Sequence, residues 1–271
     1  MTILVTGGTG LVGSRLLRYM LNAGFECRAL VRPGKEVPSP AIRVEGDLFD
    51  PAALKSAVQG VAAVIHLAAV FRTQDESAIW HANFEGTRAL IEAVREHAPQ
   101  ARLIMASTCL VYDEAVSRPG LEGDDVHPSH AYPASKVAAE KLLRESGLNW
   151  SILRLPFVYG DGDQHLNAVP GIVARLKWHP AQSFSLAHQR DIARAFELAL
   201  TGAMDRRIVN VTDDAPSTLF EMAKAIGASI EPSAVPLEHP WWGRADGSLL
   251  RSLGFQPLIA TLNQAVREGL L

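Results

Sequence analysis

The chain has 271 residues, more than one ordinary domain of about 100–200 residues and fewer than two. Hydrophobic residues at 48% and charged residues at 20% exclude global disorder. A net charge of −3 without a dense Lys/Arg block excludes a phosphate-backbone footprint, so nucleic acid is not an expected partner. The two cysteines, Cys27 and Cys109, have neither disulfide nor zinc spacing and suit a reducing cytoplasm, the expected location. No basic leader opens the sequence and no segment approaches about 18 uninterrupted apolar residues, so no membrane partner is expected.

In chain order, the apolar run Ile3-Leu4-Val5 stops at glycines, and Leu16, Leu17, Met20 and Leu21 then follow at helical spacing, giving a strand and a helix. The order repeats. Strands are predicted over residues 27–31 and 42–45, a helix over 51–58, a strand over 62–67 and a long helix over 83–97. A strand over 102–106, a helix over 131–145 and a strand over 150–155 follow, then an amphipathic helix over 191–200 and a strand near 207–211. Such alternation predicts an α/β fold built on a doubly wound parallel sheet, with helices on both faces. The segments 161–188 and 212–271 hold most of the later Pro, His and Trp and lack this rhythm. They are read as a small, discontinuous substrate lobe. Residues 1–160, completed by 189–211, are expected to form the main sheet unit, the one that carries the glycine-rich first turn.

Gly7-Gly8-Thr9-Gly10-Leu11-Val12-Gly13 lies directly after the first strand and opens a helix. Glycine there lets pyrophosphate approach backbone N–H groups at the positive end of the helix, so dinucleotide binding is the expected use. An NAD site places an acidic residue about 20 residues further on, at the second strand's end. That position holds Arg32, with Lys35 nearby, and a guanidinium suits a 2′-phosphate; the expectation is NADP in preference to NAD.

Tyr132 and Lys136 stand four residues apart on one helical face. A phenol titrating near ~10 needs a cation beside it to exchange a proton at neutral pH, and Lys136 supplies that charge. Ser107 and Thr108 follow the apolar strand 102–106, at the carboxyl end where open α/β sheets carry their chemistry.

Together these residues resemble the extended short-chain dehydrogenase/reductase family, also called the NAD-dependent epimerase/dehydratase family. Thr6–Gly13 is similar to its Thr-Gly-x-x-Gly-x-x-Gly signature, Gly46-Asp47-Leu48 to its Gly-Asp-Leu segment, and His66-Leu67-Ala68-Ala69 to the fourth-strand segment that lines the cofactor. Asn83–Thr87 resembles the Asn-x-x-Gly-Thr helix, Ser107–Tyr112 the Ser-Ser/Thr-x-x-Val-Tyr run, Leu153–Gly160 the Leu-Arg-x-x-x-Val-Tyr-Gly run, and His188–Ala193 the His-Val-Asp-Asp-Val-Ala segment. The resemblance implies Tyr132 as acid/base, Lys136 as the residue that lowers its pKa and holds the ribose, Thr108 as the hydroxyl on the substrate oxygen, and Asn83 as a helix-shaping member of the same set. It implies cofactor contacts at Gly7, Thr9, Gly10, Leu11, Val12, Arg32, Asp47, Leu48, Leu67, Ala68, Ala69, Ser107, Tyr132, Lys136, Pro156 and Val158, and a homodimer through the helices near 83–97 and 131–145.

Departures from the family pattern narrow the activity. Phe184-Ser185-Leu186 lacks the Arg that nucleotide-sugar enzymes place before the His-Val-Asp-Asp run, and Cys109-Leu110 replaces the Asp-Glu pair of dehydratases. The expected activity is hydride transfer between nicotinamide and a small or moderately apolar carbonyl or alcohol, nearest the dihydroflavonol-reductase-like or hydroxysteroid-dehydrogenase-like branches. A sugar or nucleotide-sugar epimerase and a non-catalytic NADP sensor are the alternatives. His66 and His188 are expected to hydrogen-bond within the fold, with no metal, and Cys109 to be a packed thiol. Trp241, Trp242, His239 and His165 are candidates for a substrate pocket, against core filling as the commoner use.

Overall fold

The computed structural model describes residues 1–113 and 115–271. The chain begins with β1 (Thr2–Thr6), α1 (Gly13–Asn22), β2 (Glu26–Val31), β3 (Ile42–Glu45), α2 (Pro51–Val58) and β4 (Ala63–His66). There follow α3 (Glu76–Trp80), a π-helical turn (His81–Glu85), α4 (Gly86–His97), β5 (Arg102–Thr108), a 3-10 turn (Cys109–Val111), α5 (Ala131–Glu145) and β6 (Asn149–Leu155). The remainder holds β7 (Phe157–Tyr159), α6 (Val169–Leu176), β8 (Ser183–Phe184), β9 (Leu186–His188), α7 (Gln189–Leu200), β10 (Arg207–Asn210), β11 (Ser217–Thr218), α8 (Leu219–Ala225), α9 (Ser248–Ser252) and α10 (Leu262–Glu268).

Seven strands form one parallel sheet in the order β10-β6-β5-β4-β1-β2-β3. Its central strands are apolar on both sides because successive side chains enter different cores. Ile3, Val5, Ile65 and Ile104 pack with α1 and α7, whereas Leu4, Val64, Leu103 and Met105 pack with α2, α4 and α5. The chain leaves β1 toward β2 on one side and returns to β4 on the other. The carboxyl ends of β1 and β4 therefore flank the switch point at which open α/β sheets form a crevice.

The second half builds a further apolar cluster from two separated stretches. Tyr159, Leu166, Val169, Val173, Phe184 and Leu186 meet Leu219, Met222, Ile259, Leu262 and Ala265. Two short sheets tie it together: β8 pairs antiparallel with β11, and β7 pairs parallel with β9.

Three elements differ from expectation. The helix expected to start at residue 83 belongs to a helical run that begins at Glu76, where Asp75 accepts from the Ala78 N–H at 3.0 Å. That run is interrupted by the π turn, marked by the Gly86 N–H bonded to the His81 carbonyl. Strand β5 continues past residue 106 to Thr108, since its ladder with β6 extends to the Thr108–Leu155 pair. Helix α7 begins at Gln189 rather than 191, because the His188 side chain accepts from Arg190 N and caps it there.

Candidate active site

At the end of β1 the chain turns on Gly7, which has φ +71°. A Cβ there would lie 2.6 Å from Ala68 N and 2.7 Å from Leu67 C, so Gly7 lets the β1 turn press against the strand-four segment. A Cβ on Gly13 would stand 2.1 Å from the Gly7 carbonyl oxygen. Gly10 N–H closes the turn onto that oxygen at 2.9 Å. Helix α1 then starts with no side-chain cap, Thr9 and Gly10 exposed, Leu11 and Val12 half-buried. Close backbone approach and uncapped N–H groups fit a pyrophosphate.

Around this turn lie the other expected cofactor residues. Leu67 and Ala68 are half-buried and Ala69 is exposed; Leu48 is buried, its side chain 2.9 Å from where a Cβ on Gly86 would stand. Asp47 is exposed and accepts from Phe49 N–H at 2.8 Å. Arg32 is exposed at the end of β2, its carbonyl accepting from Lys35 N–H. Pro156 is the single residue between β6 and β7, and Val158 is the middle residue of β7.

The opposite wall is made by β5 and α5, which pack together. Thr108 ends β5 and its Oγ1 accepts from Leu110 N–H at 3.1 Å, which leaves its own proton to donate. The neighbouring Ser107 is buried and its Oγ has no protein partner among the described residues. On α5, Tyr132 is half-buried in the first turn, its ring 4.5 Å from that of Phe71. Lys136, one turn on, is 2% exposed and forms no ion pair among the described residues. Glu140, a further turn on, is engaged by Arg154 from β6, Nη2 to Oε2 at 2.7 Å and Nε to Oε1 at 3.1 Å.

Electrostatics within the protein differ from the simple expectation for the Tyr/Lys pair. Burial pushes the Tyr132 phenol up to about 12, and burial lowers Lys136 to about 8 against the raising pull of Glu140. Desolvation disfavours the charged form of each group and is the leading cause of both shifts.

Asn83 is fully buried in the π turn. Its Nδ2 donates to Val70 O at 3.0 Å and to Ser135 Oγ at 3.0 Å, and its Oδ1 accepts from Val70 N at 2.8 Å. It thereby ties the segment after β4 to helix α5, one residue before Lys136. His66 bonds to Thr6 and Thr87, and His188 Nε2 to Leu270 O at 2.9 Å, so both are held inside the fold. The Cys109 thiol donates to Arg154 O and burial pushes its pKa up, which keeps it protonated and packed.

The aromatic candidates separate. A cavity of about 840 Å³ is lined by Trp178, His179, Trp242, His239 and Val173, but not by Trp241 or His165. Trp242 is also part of a cluster with Trp178 and Phe184, ring centroids 5.1 and 5.3 Å away. His165 instead stacks on Phe157 at 4.2 Å and bonds Val158 O through Nδ1. Its electrostatic partners include Arg72, which depresses its pKa secondarily to burial.

Sequence reading missed Phe71, whose position two residues past the Ala68-Ala69 pair was the available signal. It also missed the Glu140–Arg154 pair, which joins a helix to a strand and has no local signature.

A parallel sheet whose first turn is a glycine cradle at the switch point defines a Rossmann-type dinucleotide-binding fold. The chain belongs to the NAD dependent epimerase/dehydratase family, whose sequence profile matches residues 3–212. The ceramide reductase of Caulobacter vibrioides is 29% identical over 70% of this chain, and that match spans only 58% of the reductase. The dTDP-6-deoxy-L-talose 4-dehydrogenase (NAD(P)(+)) of Kitasatospora kifunensis is 30% identical over 98% of this chain and 93% of its own. The UDP-glucose 4-epimerase of Thermotoga maritima superposes with a TM-score of 0.80 at 22% identity, covering 98% of this chain and 96% of that one. No helix among the described residues is long and apolar enough to cross a membrane.

Proposed function

We propose that this chain is an NAD(P)-dependent oxidoreductase that transfers hydride between nicotinamide and a small or moderately apolar carbonyl or alcohol, with Tyr132 as its acid/base. The observation that carries the reading is Lys136: an ammonium 2% exposed, one helical turn from a phenol and without a carboxylate partner in bonding distance among the described residues. An unpaired buried cation costs several kcal/mol, and sites that retain one use it in chemistry.

The cradle at Gly7 and Gly13 and the unpartnered Ser107 Oγ fit a dinucleotide. Gly7, Thr9, Gly10, Leu11 and Val12 would hold the pyrophosphate, Arg32 a 2′-phosphate, Asp47 and Leu48 the adenine end. Leu67, Ala68, Ala69, Pro156, Val158 and Ser107 would line the nicotinamide side. When bound, the cofactor supplies the hydride acceptor or donor. Thr108 donates a hydrogen bond from its hydroxyl to the substrate oxygen, keeping its proton. Tyr132 passes a proton to or from that oxygen, Lys136 holds the ribose and favours the phenolate, and Asn83 with Ser135 fixes the helix that carries both. Cytoplasmic location and a homodimer through α4 and α5 belong to the same proposal.

A sugar-nucleotide epimerase is the second reading, favoured by the near-complete overlay on the Thermotoga enzyme. Phe184-Ser185-Leu186, without a cation for a nucleotide phosphate, speaks against it. Assay of the purified protein with NADH, NADPH, a panel of ketones and alcohols, and UDP- and dTDP-sugars decides between the two. Net NADPH oxidation by a carbonyl is the expected result. A cofactor that co-purifies, resists dialysis and supports sugar-nucleotide interconversion without net redox would overturn it.

Cofactor preference has its own test. Arg32→Ala is expected to weaken NADPH binding by roughly 10–100-fold and leave NADH unchanged, because only the 2′-phosphate gains charge-assisted hydrogen bonds from a guanidinium. Fluorescence titration measures both affinities. Equal affinity of the unaltered protein for NADH and NADPH would remove the basis for the preference.

A further inference from the structure

Five polar residues in the heart of the crevice form one unbroken chain of hydrogen bonds. Thr6, His66, Asn83, Thr87 and Ser135 are each no more than 1% exposed. Thr6 and His66 face each other across the β1–β4 ladder, Thr6 Oγ1 to His66 Nδ1 at 2.7 Å, and Ala68 N–H also reaches Thr6 Oγ1 at 3.4 Å. His66 Nε2 meets Thr87 Oγ1 at 2.9 Å, and Thr87 Oγ1 donates to the Asn83 carbonyl at 2.6 Å. Asn83 Nδ2 donates to Ser135 Oγ at 3.0 Å, and Ser135 Oγ donates to the Tyr132 carbonyl at 2.7 Å.

The direction of every bond is fixed by the last acceptors. A hydroxyl has one proton, and that of Thr87 is committed to the Asn83 carbonyl, so Thr87 Oγ1 must accept from His66 Nε2–H. His66 Nδ1 is then the bare nitrogen and accepts from the Thr6 hydroxyl. Every donor is used, and the imidazole is neutral with its proton on Nε2. Burial, with the Lys136 charge as a secondary cause, lowers His66 to about 3, which keeps that form across the working pH range. The chain passes through the π turn, where the extra residue per turn displaces Asn83 from ordinary helical register, and such turns recur at functional sites.

We propose that His66 is a positioning residue: through Thr87 it locks the Asn83 carbonyl, so that the π turn holds Ser135 and the first turn of α5 at a fixed distance from the cofactor-binding strand β1. The inference rests on the reading of Tyr132 as acid/base. A fully satisfied buried network has one geometry, and Tyr132 shares it through its carbonyl. A misplacement of about 1 Å at a reacting group can cost on the order of 100-fold, so a broken link shows as a rate defect ahead of a binding defect.

The test uses the full chain with its cofactor and substrate. Thr87→Val keeps shape and removes the hydroxyl; kcat is expected to fall at least roughly tenfold while the cofactor KM stays within about twofold. Thr87→Ser restores kcat. Ile91→Val, in the second core and off the network, loses similar stability and keeps kcat. Unchanged kcat in Thr87→Val, or an equal fall in Ile91→Val, overturns the inference; turnover retained by Tyr132→Phe instead overturns the acid/base reading. Nitrogen chemical shifts of His66 give a readout independent of activity. A neutral ring protonated on Nε2 from about pH 5 to 9 is expected, and a proton on Nδ1 or a titration in that range contradicts the bond directions.

Discussion

Tyr132→Phe is expected to lower kcat by about 10²–10⁴-fold, the range for loss of a general acid/base, with cofactor affinity and stability little changed. The substitution preserves the ring and its contact with Phe71 at 4.5 Å. The hydroxyl is not among the buried polar atoms left without a partner in the described residues, and no other protein group depends on it for a hydrogen bond there, so removing it strands no buried group. The pH profile adds a second expectation. Burial alone places the phenol at about 12, so reaction near neutrality requires an ammonium that stays charged while the phenolate forms. In the proposed mechanism Lys136 is that group, and burial lowers its own pKa to about 8. In the direction of alcohol oxidation, kcat/KM should rise with pH as the phenolate fraction grows, then level off above about 8, where each further gain in phenolate is cancelled by loss of the Lys136 ammonium. A profile that keeps climbing without levelling off would show that Lys136 is not the stabilising cation. Turnover that survives Tyr132→Phe would remove Tyr132 from the chemistry.

The parts of the fold that were legible in the sequence are those in which local pattern and burial coincide. Sheet strands such as β1 and β4 are apolar on both faces, and α2 carries its own start signal, Asp50 accepting from Ala52 and Ala53 N–H with Pro51 next. The glycine turn was legible for a steric reason, since a Cβ at Gly7 or Gly13 would meet backbone that cannot move. The π turn was not, because a shift of one residue per turn barely disturbs hydrophobic periodicity and is fixed instead by Asn83 bonding to Val70 and Ser135. Strands β7, β8, β9 and β11 are two or three residues long and are held by pairing with distant segments, for which no local pattern exists.

Glu140→Ala is expected to destabilise the protein by about 3–5 kcal/mol, because it strands a buried guanidinium. Arg154 and Glu140 side chains are 2% and 4% exposed, and their paired contact is the bidentate geometry in which an internal ion pair can offset its desolvation. Arg154 also donates to Tyr112 Oη at 3.1 Å, Tyr112 donates to Asn210 Oδ1 at 2.6 Å, and Asn210 Nδ2 reaches the carbonyls of Gly120 and Asp246. The pair thus anchors α5 to β6, β10 and two surface loops, and urea unfolding should register its loss. Glu140→Ala combined with Arg154→Met removes both charges and should recover much of the deficit, giving a strongly non-additive cycle; additive effects would show that the pair is not coupled. Under the proposed Tyr132 acid/base mechanism the same carboxylate also tunes the lysine. Its charge raises Lys136 against the lowering effect of burial, so without it the Lys136 pKa falls further below about 8. The pH at which the profile levels off should then fall in Glu140→Gln, assayed at a temperature where the protein remains folded. An unmoved break in the profile would mean that Glu140 serves the fold and leaves the Tyr132–Lys136 pair untouched.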